Sequence, residues 1–208
     1  MKHFQYSRTA TGIFVEGYPD AVKVIRLTNK IARRAAELWL HKVDLDFAAD
    51  CLKEIIQISA DKRVMREGLW RSAIVHYTKC FGQSKARFQL AAKSIFKADP
   101  LALTAHNYIV DLRDKHIVHD ENAYAHCFPG AILNRADKAP KIEEIGCFAL
   151  YVQTLNEQEL KKLLLLIDIV HQWVEDEFEK VSEVITKDLE QIPYTELLGR
   201  DDLTIQLR

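Results

Sequence analysis

A short segment in the middle of the chain carries an arginine and a histidine separated by five residues. These are Arg113 and His119, within the run DLRDKHIVHD at positions 111–120. Arginine is a permanent cation that can hold a phosphate through two parallel hydrogen bonds, and histidine is the side chain that most readily exchanges a proton near neutral pH. The pair suits cleavage of an RNA phosphodiester without a metal ion. A polar helix end without chemistry is the alternative that these two residues leave open.

Two further polar residues of this segment are candidates for the same site. Asp114 can orient the arginine or a histidine by hydrogen bonding, and an exposed ion pair with Lys115 is the other interpretation. On an ideal α-helix, Arg113 and His119 point to different sides, whereas His116 shares the side of Arg113. His119 therefore reaches the site only at a helix end or from a partner. We keep it as the first candidate for proton transfer, and His116 as a substrate contact or second acid.

The segment NYIVDLRDKHIVHD, at positions 107–120, resembles the signature helix of the HEPN superfamily. That pattern is an arginine followed after four to six residues by a histidine, often with a polar residue directly after the arginine. Arg113, Asp114 and His119 match it. The upstream segment LWRSAIVHYTKCFG, at positions 69–82, resembles the second helix of HEPN-like proteins linked to abortive infection in bacteria. The likeness extends in outline over residues 20–190.

The resemblance implies a fold, an activity and partners. The fold is a bundle of four to five core helices that forms a homodimer across the motif helix. The activity is metal-independent cleavage of RNA by transesterification, as in a toxin or antiphage effector, with no cofactor. His119 would transfer protons and Arg113 would stabilise the charge of the transition state. RNA, a second copy of the chain, and an antitoxin or other regulatory protein are the partners implied.

Charge is distributed unevenly along the chain, although the formal net charge is −1. Residues 62–97 hold nine cations and one anion, a balance of +8, and residues 142–190 hold twelve anions and four cations, a balance of −8. Such asymmetry predicts a basic surface suited to phosphates. Two solvated helix faces that attract each other are the alternative. The predicted RNA-binding residues are Arg71, Lys79, Lys85, Arg87 and Lys115.

Composition excludes several other classes of protein. The N-terminal segment has no apolar run, which predicts no secretory signal, and the apolar run at 163–170 is too short to span a bilayer. The cysteines form no CxxC pair, so reduced thiols in a cytoplasmic protein are expected. They are Cys51, Cys80, Cys127 and Cys147.

Apolar periodicity predicts a mainly all-α protein with a small β-hairpin near 126–152. We expect a flexible segment with a short edge strand at 1–18, a single HEPN-like helical domain at 19–192, and an irregular or strand-like tail at 193–208. Pro19 and Asp44 are read as the starts of the first two helices, Asp99-Pro100 as the start of the motif helix, and Asn156 as the start of the last helix. The predicted helices are 20–42, 44–59, 62–81, 99–119 and 157–190, with a short helix in the basic connector 83–100.

Two alternatives to the nuclease remain open. The first is a non-catalytic HEPN-like module that binds RNA, a nucleotide or a protein partner. The second is a metal-dependent enzyme, since four histidines lie close in the sequence, but no HExxH motif or carboxylate–histidine pair supports it. We therefore predict no metal site. These histidines are His106, His116, His119 and His126.

Overall fold

The structure is a computed structural model that describes residues 1, 4, 6–9, 12–118, 125–151 and 153–203. It is mainly helical with a small antiparallel hairpin, which confirms the predicted fold class. The described elements in chain order are β1 (Tyr6–Thr9), β2 (Gly12–Val15), α1 (Lys30–Gln57), α2 (Arg63–Lys79), α3 (Ala92–Ile95), α4 (Pro100–Leu112), a π-helical turn (Arg113–Val118), β3 (Ala125–Leu133), β4 (Ile142–Tyr151), α5 (Glu157–Glu190) and α6 (Tyr194–Gly199).

The start of the first helix differs from the prediction. Helix α1 begins at Lys30 rather than near Pro19, because Asn29 provides the cap: its side-chain oxygen accepts a hydrogen bond of 2.7 Å from the backbone N–H of Ala32. The preceding residues 24–26 are not helical, because their backbone pairs with residues 201–203 near the C-terminus. The local sequence signal at Pro19 therefore does not start a helix.

Helix α1 also runs without interruption through the position where two helices were expected. No glycine or proline occurs between Lys30 and Gln57, so nothing in the backbone forces a break. Asp44 is not a helix cap, since its carboxylate forms an ion pair with Arg87. The prediction of separate helices at 20–42 and 44–59 was wrong, because Asp44 lies inside one continuous helix.

The C-terminal tail is also more regular than expected. Residues Tyr194–Gly199 form helix α6, directly after Pro193. Beyond it, Asp202 pairs with Ile25 in an isolated antiparallel bridge, which agrees with the strand-like character expected there. No helix within the described part of the chain is both long and apolar enough to cross a membrane.

The chain divides into two compact units. The first consists of Met1–Asp44, Gln83–Gln89 and Val170–Arg208, and the second of Leu45–Gly82 and Leu90–Ile169. The second unit contains the motif and the long hairpin. Its core includes Trp70, Ile74 and Tyr77 of α2 and Ile109 of α4, all with at most 1% of their surface exposed. The indole N–H of Trp70 donates a 3.2 Å hydrogen bond to the hydroxyl of Thr154, so this tryptophan is a core residue.

Helix α4 leads directly into the motif. Asp99 caps it by accepting a 2.9 Å hydrogen bond from the N–H of Ala102, and Pro100 occupies the first helical position, as predicted. The α-helical part ends at Leu112, and the chain continues as a π-helical turn to Val118. The predicted α-helix to about residue 119 is therefore too long.

Candidate functional site

The motif arginine is held by its sequence neighbour. The Nε of Arg113 lies 2.8 Å from Oδ1 of Asp114, and both side chains are partly exposed, at 33% and 47%. A guanidinium has five N–H donors, so an ion pair at Nε leaves the other donors for a phosphate. The structure brings together the first two predicted site residues, with Asp114 in contact with Arg113. Lys115, the alternative partner of Asp114, lies 3.2 Å from Asp111 instead.

The π-helical turn changes the geometry around Arg113. Hydrogen bonds in a π-helix join residue i to i+5 rather than i+4, so the turn is wider than that of an α-helix. The expectation that His116 shares the side of Arg113 assumed α-helical spacing and does not apply here. His116 is half-buried within the same turn. Single π-helical turns occur frequently at functional sites. The backbone of this turn therefore indicates a functional site independently of the residues it carries.

The other motif histidine, His119, lies outside the described residues, which resume at position 125. Of the predicted catalytic residues, the structure describes Arg113, Asp114 and the half-buried His116, all within the π-helical turn. Packing of the turn against α2 and its continuation from α4 hold it within the second unit.

One of the predicted RNA-binding cations is buried, and others are exposed. Arg71 and Lys79 are exposed on α2 in the second unit, and Arg71 lies 3.7 Å from Glu67. Lys85 is exposed in the connector of the first unit. Arg87 is only 6% exposed and forms an ion pair, so burial removes it from any basic surface.

The residues behind the motif form an aromatic core around one histidine. The hydroxyl of Tyr77 and Nδ1 of His106 are 2.9 Å apart, and the ring of His106 also contacts Phe81 and Phe96. Burial lowers the pKa of His106 to about 4, so it is neutral at physiological pH. His106 thus joins α2 to α4, and both His106 and Tyr77 are core residues. His126 lies apart from this core, on the hairpin, where its ring stacks on Phe128.

A second polar cluster, in the first unit, was missed by the sequence reasoning. Glu37, His41 and Asp44 follow one another at helical spacing on α1, and this spacing was the available signal. The cluster holds the connector: the Phe88 N–H donates to Glu37 Oε2 over 3.2 Å, and His41 Nε2 lies 2.9 Å from the Phe88 carbonyl. Burial and the charge of Arg87 lower the pKa of His41 to about 4. With each of these polar side chains at most 9% exposed, the cluster is structural.

An open groove of about 480 Å³ runs beside the helix that carries the motif. Its wall is mostly apolar, and one of its lining residues, Tyr108, is 36% exposed. A Glu159–Lys162 ion pair of 2.8 Å lies near the start of α5. An exposed aromatic ring beside a cation is suited to stacking a nucleobase. The lining residues are Leu101, Thr104, Ala105, Tyr108, Ile109, Glu159 and Lys162.

Comparison with known proteins returns no relative for this chain. No protein-family profile, curated protein or solved structure matches it. Within the residues that the structure describes, no group of three histidine, cysteine or acidic side chains is placed to hold a metal ion. The site must therefore be interpreted from its own geometry.

Proposed function

We propose that this chain is a metal-independent endoribonuclease of the HEPN type, with Arg113-x5-His119 as its motif. The observation that carries the proposal is the π-helical turn at Arg113–Val118, in which the arginine is paired with Asp114 while about a third of its side chain stays exposed. A solvent-accessible cation with an ion-pair partner is suited to a phosphate site, since a cation already in place stabilises the charge that develops in the transition state.

In the proposed reaction, the 2′-oxygen of the RNA attacks the adjacent phosphorus and the bond from phosphorus to the 5′-oxygen breaks. The products are a 2′,3′-cyclic phosphate and a 5′-hydroxyl. His119 or His116 accepts the proton of the 2′-hydroxyl and a second proton donor protonates the leaving oxygen. Arg113 stabilises the phosphorane-like transition state, and Asp114 acts as its positioning residue. A base of the substrate would stack on Tyr108, which precedes Arg113 by about 7.5 Å along an α-helix axis.

The partners implied by the resemblance belong to the same proposal. They are RNA as the substrate, a second copy that meets the first across the motif helix, and an antitoxin or other regulatory protein. A second motif from the other copy would supply the additional proton donor. This donor is required because one histidine cannot both accept and donate in the same step.

A non-catalytic binding module is the second candidate, and a specific observation favours it. Both cations of the described motif already have anionic neighbours: Arg113 contacts Asp114 and Lys115 contacts Asp111. The local charge is thus balanced, which weakens the electrostatic attraction of RNA. A protein or nucleotide ligand would be less affected by this balance than a polyanion.

Cleavage of a mixed RNA substrate in the presence of EDTA tests the proposal. We expect Arg113→Ala to lower the rate by about 100- to 1,000-fold, the loss typical of one well-placed transition-state donor. Comparison of His119→Ala with His116→Ala identifies the proton-transfer residue. Arg135→Ala is the matched control, because Arg135 also has an adjacent acidic partner, Asp137 at 3.5 Å, but lies on the exposed hairpin turn.

The outcomes separate the two candidates. Cleavage that leaves 2′,3′-cyclic phosphate ends, persists in Arg135→Ala and disappears in Arg113→Ala supports the nuclease. Absence of cleavage by folded wild-type protein, with salt-dependent RNA binding that Arg113→Ala weakens, supports the binding module. Equal activity of wild type and Arg113→Ala would overturn both assignments of this arginine.

A further inference from the structure

Both faces of the long hairpin of the second unit carry exposed apolar side chains, and one face carries the larger set. The strands β3 and β4 pair in register with Phe128 opposite Phe148, so alternate residues on each strand lie on the same face. Four large apolar side chains share this face and are between 46% and 61% exposed. No described element covers them. They are Phe128, Ile132, Phe148 and Leu150, and we call this surface the phenylalanine face.

The phenylalanine face carries little charge. Gly130 and Gly146 lie opposite each other on it, and the Phe148 ring lies so close to Gly130 that an added Cβ would be 2.5 Å from the ring. The charged residues of β3 and β4 are Glu143 and Glu144, at the turn end of β4, and Glu144 lies on this face opposite Ile132. Away from that end, an identical surface can pack on the face without like-charge repulsion.

Such a hairpin requires a covering layer. A two-stranded sheet is at best marginally stable in water by itself, and a sheet with an apolar face normally packs it against another layer. With roughly 200 Å² for a large apolar side chain, the exposed fractions of the four residues amount to roughly 450 Å². Since apolar groups form about 60% of an ordinary interface, this corresponds to roughly 750 Å² per copy. A standard two-partner interface buries about 800 Å² per partner.

We propose that the phenylalanine face is a dimer interface, on which the same face of a second copy packs about a two-fold axis. The two hairpins then form two stacked layers about 10 Å apart, as in other sheet-on-sheet packings. This inference does not rest on the nuclease proposal, and it competes with one part of it. It assigns the contact between copies to the hairpin, whereas the nuclease proposal takes its second proton donor from a copy that meets the first across the motif helix.

The oligomeric state of paired lysine variants tests this interface. Leu150→Lys places a charge on the phenylalanine face. Ile145→Lys places the same charge on the opposite face of the same strand, where Ile145 is 69% exposed. We expect wild type and Ile145→Lys to be dimers by light scattering after size exclusion. Leu150→Lys should raise the dissociation constant by about 100-fold or more, because the apolar contact would have to bury a charge.

A cross-link provides a second measurement that does not depend on a disruptive substitution. A Cβ at Gly146 meets no atom within 4 Å, so Gly146→Cys is tolerated near the centre of the face. In a background with Cys127→Ser and Cys147→Ser, we expect it to form a disulfide between two copies under mild oxidation. Ile145→Cys in the same background should not do so.

Several results would overturn the inference. One is a wild-type protein that is monomeric over a wide concentration range, including one whose hairpin binds lipid vesicles or a different protein instead. Another is a dimer that Leu150→Lys and Ile145→Lys affect equally, or that forms no Gly146→Cys cross-link, because its interface then lies elsewhere. The role of Arg113 in cleavage is tested separately, by the Arg113→Ala assay, which does not depend on where the two copies meet.

Discussion

Replacement of Arg87 by alanine tests whether this residue is part of the core or of an RNA-binding surface. Arg87 Nη2 lies 2.6 Å from Asp44 Oδ2, with side-chain exposures of 5% and 7%, and Arg87 Nη1 donates a 2.7 Å hydrogen bond to the Leu40 carbonyl. Removal of the guanidinium would leave the Asp44 carboxylate buried without its counter-ion. Breaking a buried pair in this way destabilises a protein by about 3–5 kcal/mol. That is a large share of the roughly 5–15 kcal/mol that stabilises an ordinary domain.

Urea unfolding followed by circular dichroism measures this effect. We expect the free energy of unfolding to fall by about 3–5 kcal/mol in Arg87→Ala and by a similar amount in Asp44→Ala, because each leaves one buried charge unpaired. The double variant Asp44→Leu/Arg87→Met should recover much of the loss, since replacement of both charges by apolar side chains leaves no unpaired charge. Arg135→Ala, which breaks an exposed pair, should change the free energy by at most about 1 kcal/mol.

Two results would contradict the assignment of Arg87 to the core. If Arg87→Ala unfolds at the same urea concentration as wild type while its RNA affinity falls, the guanidinium belongs to an RNA-binding surface, as the basic run in the sequence suggested. If each single variant loses stability but the double variant loses the sum of both, the two residues act independently. The ion pair would then not explain their burial.

Three further predictions concern the core and the helix ends. Tyr77→Phe should destabilise the protein by about 1–3 kcal/mol, because His106 Nδ1 would lose its partner; a change below the error of urea unfolding would contradict the hydrogen bond. The pKa values of about 4 for His41 and His106, against 6.5 in an unfolded chain, keep both neutral in the fold. The free energy of unfolding is therefore unaffected by these two histidines above pH 6.5. It falls by roughly 2–3 kcal/mol per histidine as the pH falls from 6.5 to about 4, because the unfolded chain then binds protons that the folded protein does not. The urea midpoint should fall over that interval, less steeply in His106→Gln, and a flat profile would refute the burial argument. Arg66→Ala should cost about 1–2 kcal/mol by thermal unfolding, because Arg66 donates to two backbone carbonyls at the end of α1. No change would indicate that these bonds contribute nothing in water.

The sequence by itself determined the features that depend on neighbouring residues. Asp99-Pro100 starts α4 and Asn156 caps α5 through a 3.0 Å hydrogen bond to the Glu159 N–H, because capping involves only residues within one helical turn. The run of β-branched, aromatic and glycine residues after 125 predicted the hairpin for the same local reason. The adjacent pair Arg113-Asp114 was likewise visible in the sequence.

Only the tertiary structure decided the features that depend on residues distant in the chain. From the sequence alone Asp44 resembles a helix cap, but in the structure it forms an ion pair with Arg87. The sequence pattern predicts a helix at residues 24–26, but in the structure their backbone pairs with the chain near Asp202. Arg87 and Lys85 are both cations of one basic run, yet one is buried and the other exposed. Charge and periodicity describe what a side chain can do, but burial depends on which other segment packs against it, and that choice is made by the whole chain.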